Sequence, residues 1–185
     1  YVKFETNGGG DFGEGIWLET NGPNIKYQWD YNTLPHILIR QSDGTFLVKR
    51  ADGITPDILL APLLSDYSAF KFIDRECGSN LTNPLPSFAG RPINDISFFK
   101  NRLTILSGED CALSEAGELF NFFRTDTTVL MDTAPIDVGV GGTEISKLDK
   151  AVPFSDRLIL FSDRTQFVLQ GEAILSPMTA SISQA

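Results

Sequence analysis

Histidine is nearly missing from this sequence, with His36 the single copy in 185 residues, and cysteine is scarce, with only Cys77 and Cys111. Triad hydrolases and zinc hydrolases mostly need one or more histidines. His36 lies between Pro35 and the apolar run Ile37-Leu38-Ile39, a setting that favours a structural role over catalysis. Two cysteines make neither a metal-ligand spacing nor a disulfide framework. They read as two thiols, with one disulfide as the alternative. No apolar run approaches the ~18 residues that a membrane helix needs, so no membrane insertion is expected from this segment. Basic residues are the minority, 15 Lys and Arg against 24 Asp and Glu, for a net charge of −9. Phosphate recognition draws on clustered Lys and Arg. Here they are scattered, which argues against tight binding to DNA or RNA. The chain also lacks an initiator Met. It opens at Tyr1 inside one apolar alternation and stops at Ala185 just after another, Met178 to Ile182, so it is expected to be a piece of a longer polypeptide.

What the sequence does contain is a repeat. Phe99-Lys100-Asn101-Arg102-Leu103-Thr104-Ile105-Leu106-Ser107 returns as Phe154-Ser155-Asp156-Arg157-Leu158-Ile159-Leu160-Phe161-Ser162, at a constant offset of 55 residues. Each copy runs from a polar pair into an apolar strand, then a serine, a polar turn and a second strand. The two hairpins span 96–114 and 151–169. One multi-stranded unit per 40 to 50 residues is how β-propeller blades present themselves in sequence. In Arg157-Leu158-Ile159-Leu160-Phe161 the residues pointing both ways are apolar. A one-sided sheet would alternate, so this strand is expected to be covered on both faces. A propeller needs at least four blades, and at roughly 50 residues per blade this chain holds about three. More of the same polypeptide or partner subunits should therefore complete it.

The hydrophobic fraction of 42% and charged fraction of 21% are ordinary for a globular protein with a sizeable core. Tyr1–Glu5 and Ile16–Glu19 read as strands around a glycine-rich loop, and Tyr27–Tyr31 as an extended aromatic stretch. Ile37–Arg40 and Thr45–Lys49 flank Asp43-Gly44, a strong hairpin signal because glycine takes the positive φ that the turn requires. This hairpin, 37–49, makes a weaker third copy. Ala51–Leu64 reads as irregular because Pro56 and Pro62 break it, and Phe70–Ile73 as a strand. Gly78–Pro92, with three prolines, is the one plausible boundary, dividing the chain into 1–87 and 88–185. Ile136–Gly142 is polar and glycine-rich. Thr143 as a cap, with Ile145, Leu148 and Val152 at helical spacing, predicts one short helix ended by Pro153. The fold class expected is mainly β, antiparallel and blade-like with one short helix, as an incomplete fragment of a larger β-rich protein.

Candidate chemistry is thin. Gly8-Gly9-Gly10-Asp11-Phe12-Gly13 satisfies G-x-G-x-x-G, but a strand pattern follows where a dinucleotide site needs a helix, and Asp11 and Glu14 would repel phosphate. Asp11-Phe12-Gly13 has none of the other kinase elements around it. Ser107, Ser114 and Ser162 lack a nucleophile elbow. Glu109, Asp110, Glu115, Glu118, Asp132 and Asp137 qualify by type as the paired carboxylates of a glycosidase. Asp126–Asp137 does not match a calcium loop. Asn80-Leu81-Thr82 is a glycosylation sequon with no secretory signal beside it. Arg102 and Arg157 repeat in step, and the expectation is that they bond turn carbonyls or a neighbouring acid rather than a ligand. No residue is assigned to catalysis, to a cofactor or to a metal.

A family resemblance rests on collinear short blocks. Thr33-Leu34-Pro35-His36-Ile37-Leu38-Ile39-Arg40 with Asp43-Gly44-Thr45-Phe46 is similar to the "MPH-x-L-x-R … DGTF" segment of the tail tubular protein B family, the tail nozzle protein of short-tailed podovirus-type bacteriophages. Gly90–Ile93, Phe99–Leu103, Leu113-Ser114, Phe120–Phe123, Asp137, Val152–Leu158 and Gln166-Phe167 follow the family in order. Leu34 stands where the family often has Met, a departure of little weight between apolar residues. The resemblance implies a virion structural protein several times longer than this chain, forming a hexamer below the tail adaptor ring, near the tail fibres, and guiding double-stranded DNA out of the capsid. It carries over no catalytic residue. An acidic lumen that DNA passes without sticking fits both this resemblance and the net charge. The rival expectations are a tail-associated glycan hydrolase and a host-surface binding module using Trp17, Tyr27, Trp29 and Tyr31.

Overall fold

The structure is a computed structural model that describes residues 1–54, 67–141, 145–171 and 174–185. It is mainly β. Twelve strands follow in chain order: β1 (Val2–Thr6), β2 (Gly15–Glu19), β3 (His36–Arg40), β4 (Phe46–Arg50), β5 (Asp95–Phe99), β6 (Arg102–Ser107), β7 (Asp110–Leu113), β8 (Ile136–Gly139), β9 (Leu148–Phe154), β10 (Arg157–Ser162), β11 (Gln166–Gln170) and β12 (Ser181–Gln184). Among the described residues these strands all pair antiparallel, in two hairpins (β1–β2 and β3–β4) and two four-stranded meanders (β5–β8 and β9–β12). The chain divides into two compact units, Tyr1–Tyr27 with Arg75–Ala185, and Gln28–Asp74.

In the larger unit the repeat becomes register. Phe99 pairs with Arg102 and Phe154 with Arg157; Ile96 with Ile105 and Ala151 with Leu160; Thr104 with Leu113 and Ile159 with Val168. Each match lies 55 residues on. The fourth strand keeps the topology with a shorter connection: Leu113 pairs with Ile136 and its counterpart Val168 with Ser183, an offset of 47. Left-handed backbone at Lys100 and Asn101 in one copy and at Ser155 in the other makes the turn after the first strand, which is why polar residues occupy it.

Register also assigns faces. One face of each meander carries the arginine (Phe99, Arg102, Thr104, Leu106, Cys111, Leu113 and Ile136 in β5–β8). The other carries the leucines (Ala151, Leu158, Leu160, Phe167 and Leu169 in β9–β12). A single apolar core joins the arginine face of β5–β8 to the leucine face of β9–β12, with Leu148 and Leu175 completing it. Asp95 locks this junction, accepting from Lys150 Nζ at 2.8 Å and from the Ala151 N–H at 2.9 Å.

Arg75 holds the two stretches of the larger unit together. Its guanidinium donates to Asn80 Oδ1 (2.9 Å), to the Asn83 carbonyl (2.8 Å) and to the Lys26 carbonyl, and lies 5.6 Å from the centre of the Phe123 ring. In the smaller unit Trp29 is edge-on to Phe72 at 6.0 Å and donates its indole N–H to the Ile73 carbonyl. Leu34, Ala51 and Tyr67 are also buried there.

Several expectations are corrected. Where Leu148 and Val152 predict a helix, the chain forms strand β9, and there is no helix among the described residues; Thr143 lies outside them. Pairing with β10 overrides the helical spacing, and β9 tolerates Pro153 because it is an edge strand. Strand β10 is covered on one face only: Leu158 and Leu160 are buried, Ile159 is half-buried and Phe161 exposed. The strands covered on both faces are β6 and β7. Tyr27–Tyr31 and Phe70–Ile73 form no strand; Lys71 makes only an isolated bridge to Asp52. Glycine-rich Ile136–Gly142 contains strand β8.

Candidate assembly surfaces

The repeated arginines have separate fates. Arg102 is 1% exposed. Its Nη1 donates to the carbonyls of Ser114 (2.7 Å) and Ala134 (2.8 Å), and its Nη2 to those of Asp132 (2.9 Å) and Leu175 (3.3 Å). Burial lowers its pKa, with Glu115 opposing, and the fixed fork of donors gathers four loop carbonyls. Arg157, in the same register, is exposed and lies 3.9 Å from Asp156. The environment differs because the face that carries it differs in cover.

In β5–β8 the arginine face is buried. In β9–β12 the same face carries Val152, Phe154 and Phe161 exposed, with Ile159 and Val168 half-buried between them. Phe99 is 3% exposed and its counterpart Phe154 is 67% exposed. At the other end of the stack, the leucine face of β5–β8 exposes Ile96 and Phe98 at its β5 edge. Both hairpins show apolar surface too. Face by face, β3–β4 presents His36, Leu38, Arg40, Phe46, Val48 and Arg50 outward and half-buries Ile37, Ile39, Leu47 and Lys49. In β1–β2, Phe4 and Trp17 are partnered at 5.1 Å and both are exposed.

Four of the six candidate carboxylates are occupied structurally. Asp110 pairs with Arg91 at 2.7 Å. Asp137 turns its carboxyl to Ser87, accepting from the N–H and from Oγ, both at 2.7 Å. Asp137 keeps exposed surface, but desolvation of its carboxyl, opposed by the Ser87 bonds and reinforced by nearby Asp110, leaves it above the ordinary carboxylate range. Glu115 accepts from Asn121, and Glu109 from the Ser146 N–H. Glu118 and Asp132 are exposed. Ser107 and Ser114 are buried and bonded within the backbone framework, and Ser162 caps its own turn at Thr165. His36 sits at the start of β3. Of the aromatic quartet, Trp17 and Tyr27 belong to the larger unit and are exposed; Trp29 and Tyr31 belong to the smaller, where Trp29 is buried and Tyr31 bonds Asp74. Cys77 and Cys111 are buried free thiols. Among the described residues no group of three or more His, Cys, Asp or Glu is arranged to hold a metal.

These residues leave several apolar faces exposed, and sequence comparison supplies the family. The model of the bacteriophage nozzle protein family matches residues 1–185. The chain belongs to that family. Tail tubular protein gp12 of Escherichia phage T7 is 38% identical over 168 residues, covering 91% of this chain and 19% of that relative. This nozzle-family chain is thus a structural component of the phage tail, located in the virion, and it spans about a fifth of the length of the curated relative it matches. Sequence reasoning reached the repeat but missed the open arginine face of the nozzle segment. The signal is present in Ile159 and Phe161, on the side of β10 opposite Leu158 and Leu160; apolar character alone does not say whether the cover lies within the same segment.

Proposed function

We propose that this segment supplies blade-like sheets to the wall of an oligomeric tail nozzle, a channel that double-stranded DNA traverses during ejection, with no catalytic role. The observation that carries the proposal is the order of stacking. The arginine face of one four-stranded meander lies on the leucine face of the next, leaving the arginine face of β9–β12 open and the leucine face of β5–β8 exposed only at its β5 edge, at Ile96 and Phe98. Face-to-face meanders stacked in this sense are how propeller blades follow one another, and a contact between two different faces continues until it closes or meets a cap. The stack therefore calls for further sheets on the Phe154 side and on the Phe98 side.

The parent protein, on this reading, assembles as a homohexamer that meets the tail adaptor and the tail fibres. Residues 1–87 are the segment's β-rich N-terminal part, with the hairpin 37–49, and residues 88–185 hold both blade-like repeats. The net charge of −9 favours an acidic channel lining, which repels phosphate and lets DNA pass without sticking. Electron microscopy of the full-length parent tests this directly. The expected map is a six-fold ring with another sheet seated on the Phe154 face. A compact monomer, or a basic channel lining on this segment, overturns it.

A further inference from the structure

The two hairpins outside the meanders differ in charge. From Tyr1 to Glu19 there is one base, Lys3, against Glu5, Asp11, Glu14 and Glu19, a net of −3. From His36 to Arg50 there are Arg40, Lys49 and Arg50 against Asp43, a net of +2 among Lys, Arg, Asp and Glu; Lys49 and Arg50 both pair with Asp52, at 3.3 and 3.4 Å, so Arg40 is the base outside that pairing. A lone two-stranded hairpin is marginal in water, yet each of these carries large apolar side chains on an exposed face. On β3–β4 these are Leu38, Phe46 and Val48, framed by Arg40 and Arg50 on the same face. A hollow of about 360 Å³ opens beside them, lined by His36, Val48, Arg50, Asp52 and Ile54 among others. On β1–β2 the tip presents Phe12, 97% exposed, flanked by Asp11 and Glu14.

We propose that the exposed face of β3–β4 is a docking site for the β1–β2 hairpin of a neighbouring copy, with Phe12 seated against Leu38, Phe46 and Val48 and the acids Asp11 and Glu14 facing Arg40. Opposite charge selects the pairing: two β3–β4 faces would set arginine against arginine, and two β1–β2 tips acid against acid, both costly at an interface. The apolar centre with a charged rim has the anatomy of a protein–protein contact. Because the two faces are different, each copy offers one of each, and the contact propagates from copy to copy and closes a ring when the rotation allows. The inference rests on the oligomeric reading above and adds to it which surfaces meet.

The test uses the full-length parent protein. Arg40→Glu alone and Asp11→Lys/Glu14→Lys alone are each expected to raise the concentration for half-assembly about tenfold or more, read by sedimentation velocity; combining all three changes restores assembly to near the unaltered value. Mixing copies that carry only Phe12→Cys with differently tagged copies that carry only Phe46→Cys is expected to give a disulfide-linked pair joining the two tags under mild oxidation, absent when either cysteine is omitted; Cys77 and Cys111 are buried. Rings that form unchanged in both reversals, or a triple variant worse than either parent, overturn this contact while leaving the ring intact. Loss of DNA retention in Arg40→Glu without any change in assembly also overturns it, by making the face a DNA contact. A parent that is monomeric by electron microscopy fails the oligomeric reading instead.

Discussion

Arg102 offers the sharpest energetic test, because the repeat supplies its own control. Arg102→Met keeps most of the stem and removes the guanidinium. Nη1 then no longer serves the Ser114 and Ala134 carbonyls, and Nη2 no longer serves those of Asp132 and Leu175. A buried acceptor left dry costs ~1–3 kcal/mol. If the two Nη1 acceptors stay dry, the loss is about 2–6 kcal/mol before the offset from no longer desolvating a cation. A net destabilisation of ~2–4 kcal/mol follows. Arg157→Met, 55 residues on, removes an exposed side chain whose ion partner is 3.9 Å away, and surface changes of that kind stay within ~0.5 kcal/mol. Urea unfolding of the chain measures both. Equal midpoints for the two variants, or a larger loss at Arg157, would refute the assignment of Arg102 as the organiser of the loops around β6.

Leu158→Ala is expected to cost ~2–5 kcal/mol, measured by the same unfolding assay, and Leu103→Ala less, because Leu158 is fully buried and Leu103 only half-buried. Burial pushes the Cys111 thiol up to about 12, with Asp137 adding to it, and raises that of Cys77 as well. Both should therefore resist alkylation at pH 8 in the folded protein and react once it is denatured; fast native labelling of Cys111, followed by mass spectrometry, would contradict its placement. For Asp95, burial pushes the carboxyl up, but Lys150 and the Ala151 N–H outweigh it and hold the pKa below the ordinary range. A depressed folded pKa means a contribution that is full above the unfolded value of about 3.9 and fades as pH falls through the folded one. Asp95→Asn should thus destabilise by ~1–3 kcal/mol at pH 7, with the gap to the parent closing in acid; a gap that widens below pH 4 would reverse the argument.

The legible parts of this fold are those where local chemistry and pairing agree. Asp43-Gly44 marked the β3–β4 turn, and the 55-residue repeat carried the register of three strands in each meander. The helix expected over Ile145–Val152 failed because spacing of 3 and 4 among so few apolar residues is also what a strand with a change of register can show; β9 does shift register opposite Phe161/Ser162. Strand β8 stayed hidden because Ile136-Asp137-Val138-Gly139 alternates over only four residues and sits in a run ending in Gly139, Gly141 and Gly142. The tight role of Arg102 and the idleness of Arg157 are not written in their own neighbourhoods, which match. They come from the stack, where one arginine face has a sheet upon it and the other, within this segment, has none.

The central claim is that the Phe154 face of β9–β12 is covered in the assembled parent protein as the Phe99 face is covered here. Thiol labelling of Phe154→Cys in the full-length protein addresses it most directly, with Phe12→Cys in unassembled protein as the exposed reference. Protection of position 154 by about a hundredfold or more relative to that reference, as expected of a site that reacts only through rare opening, is the result expected. Labelling of position 154 at the rate of the exposed reference would contradict the account.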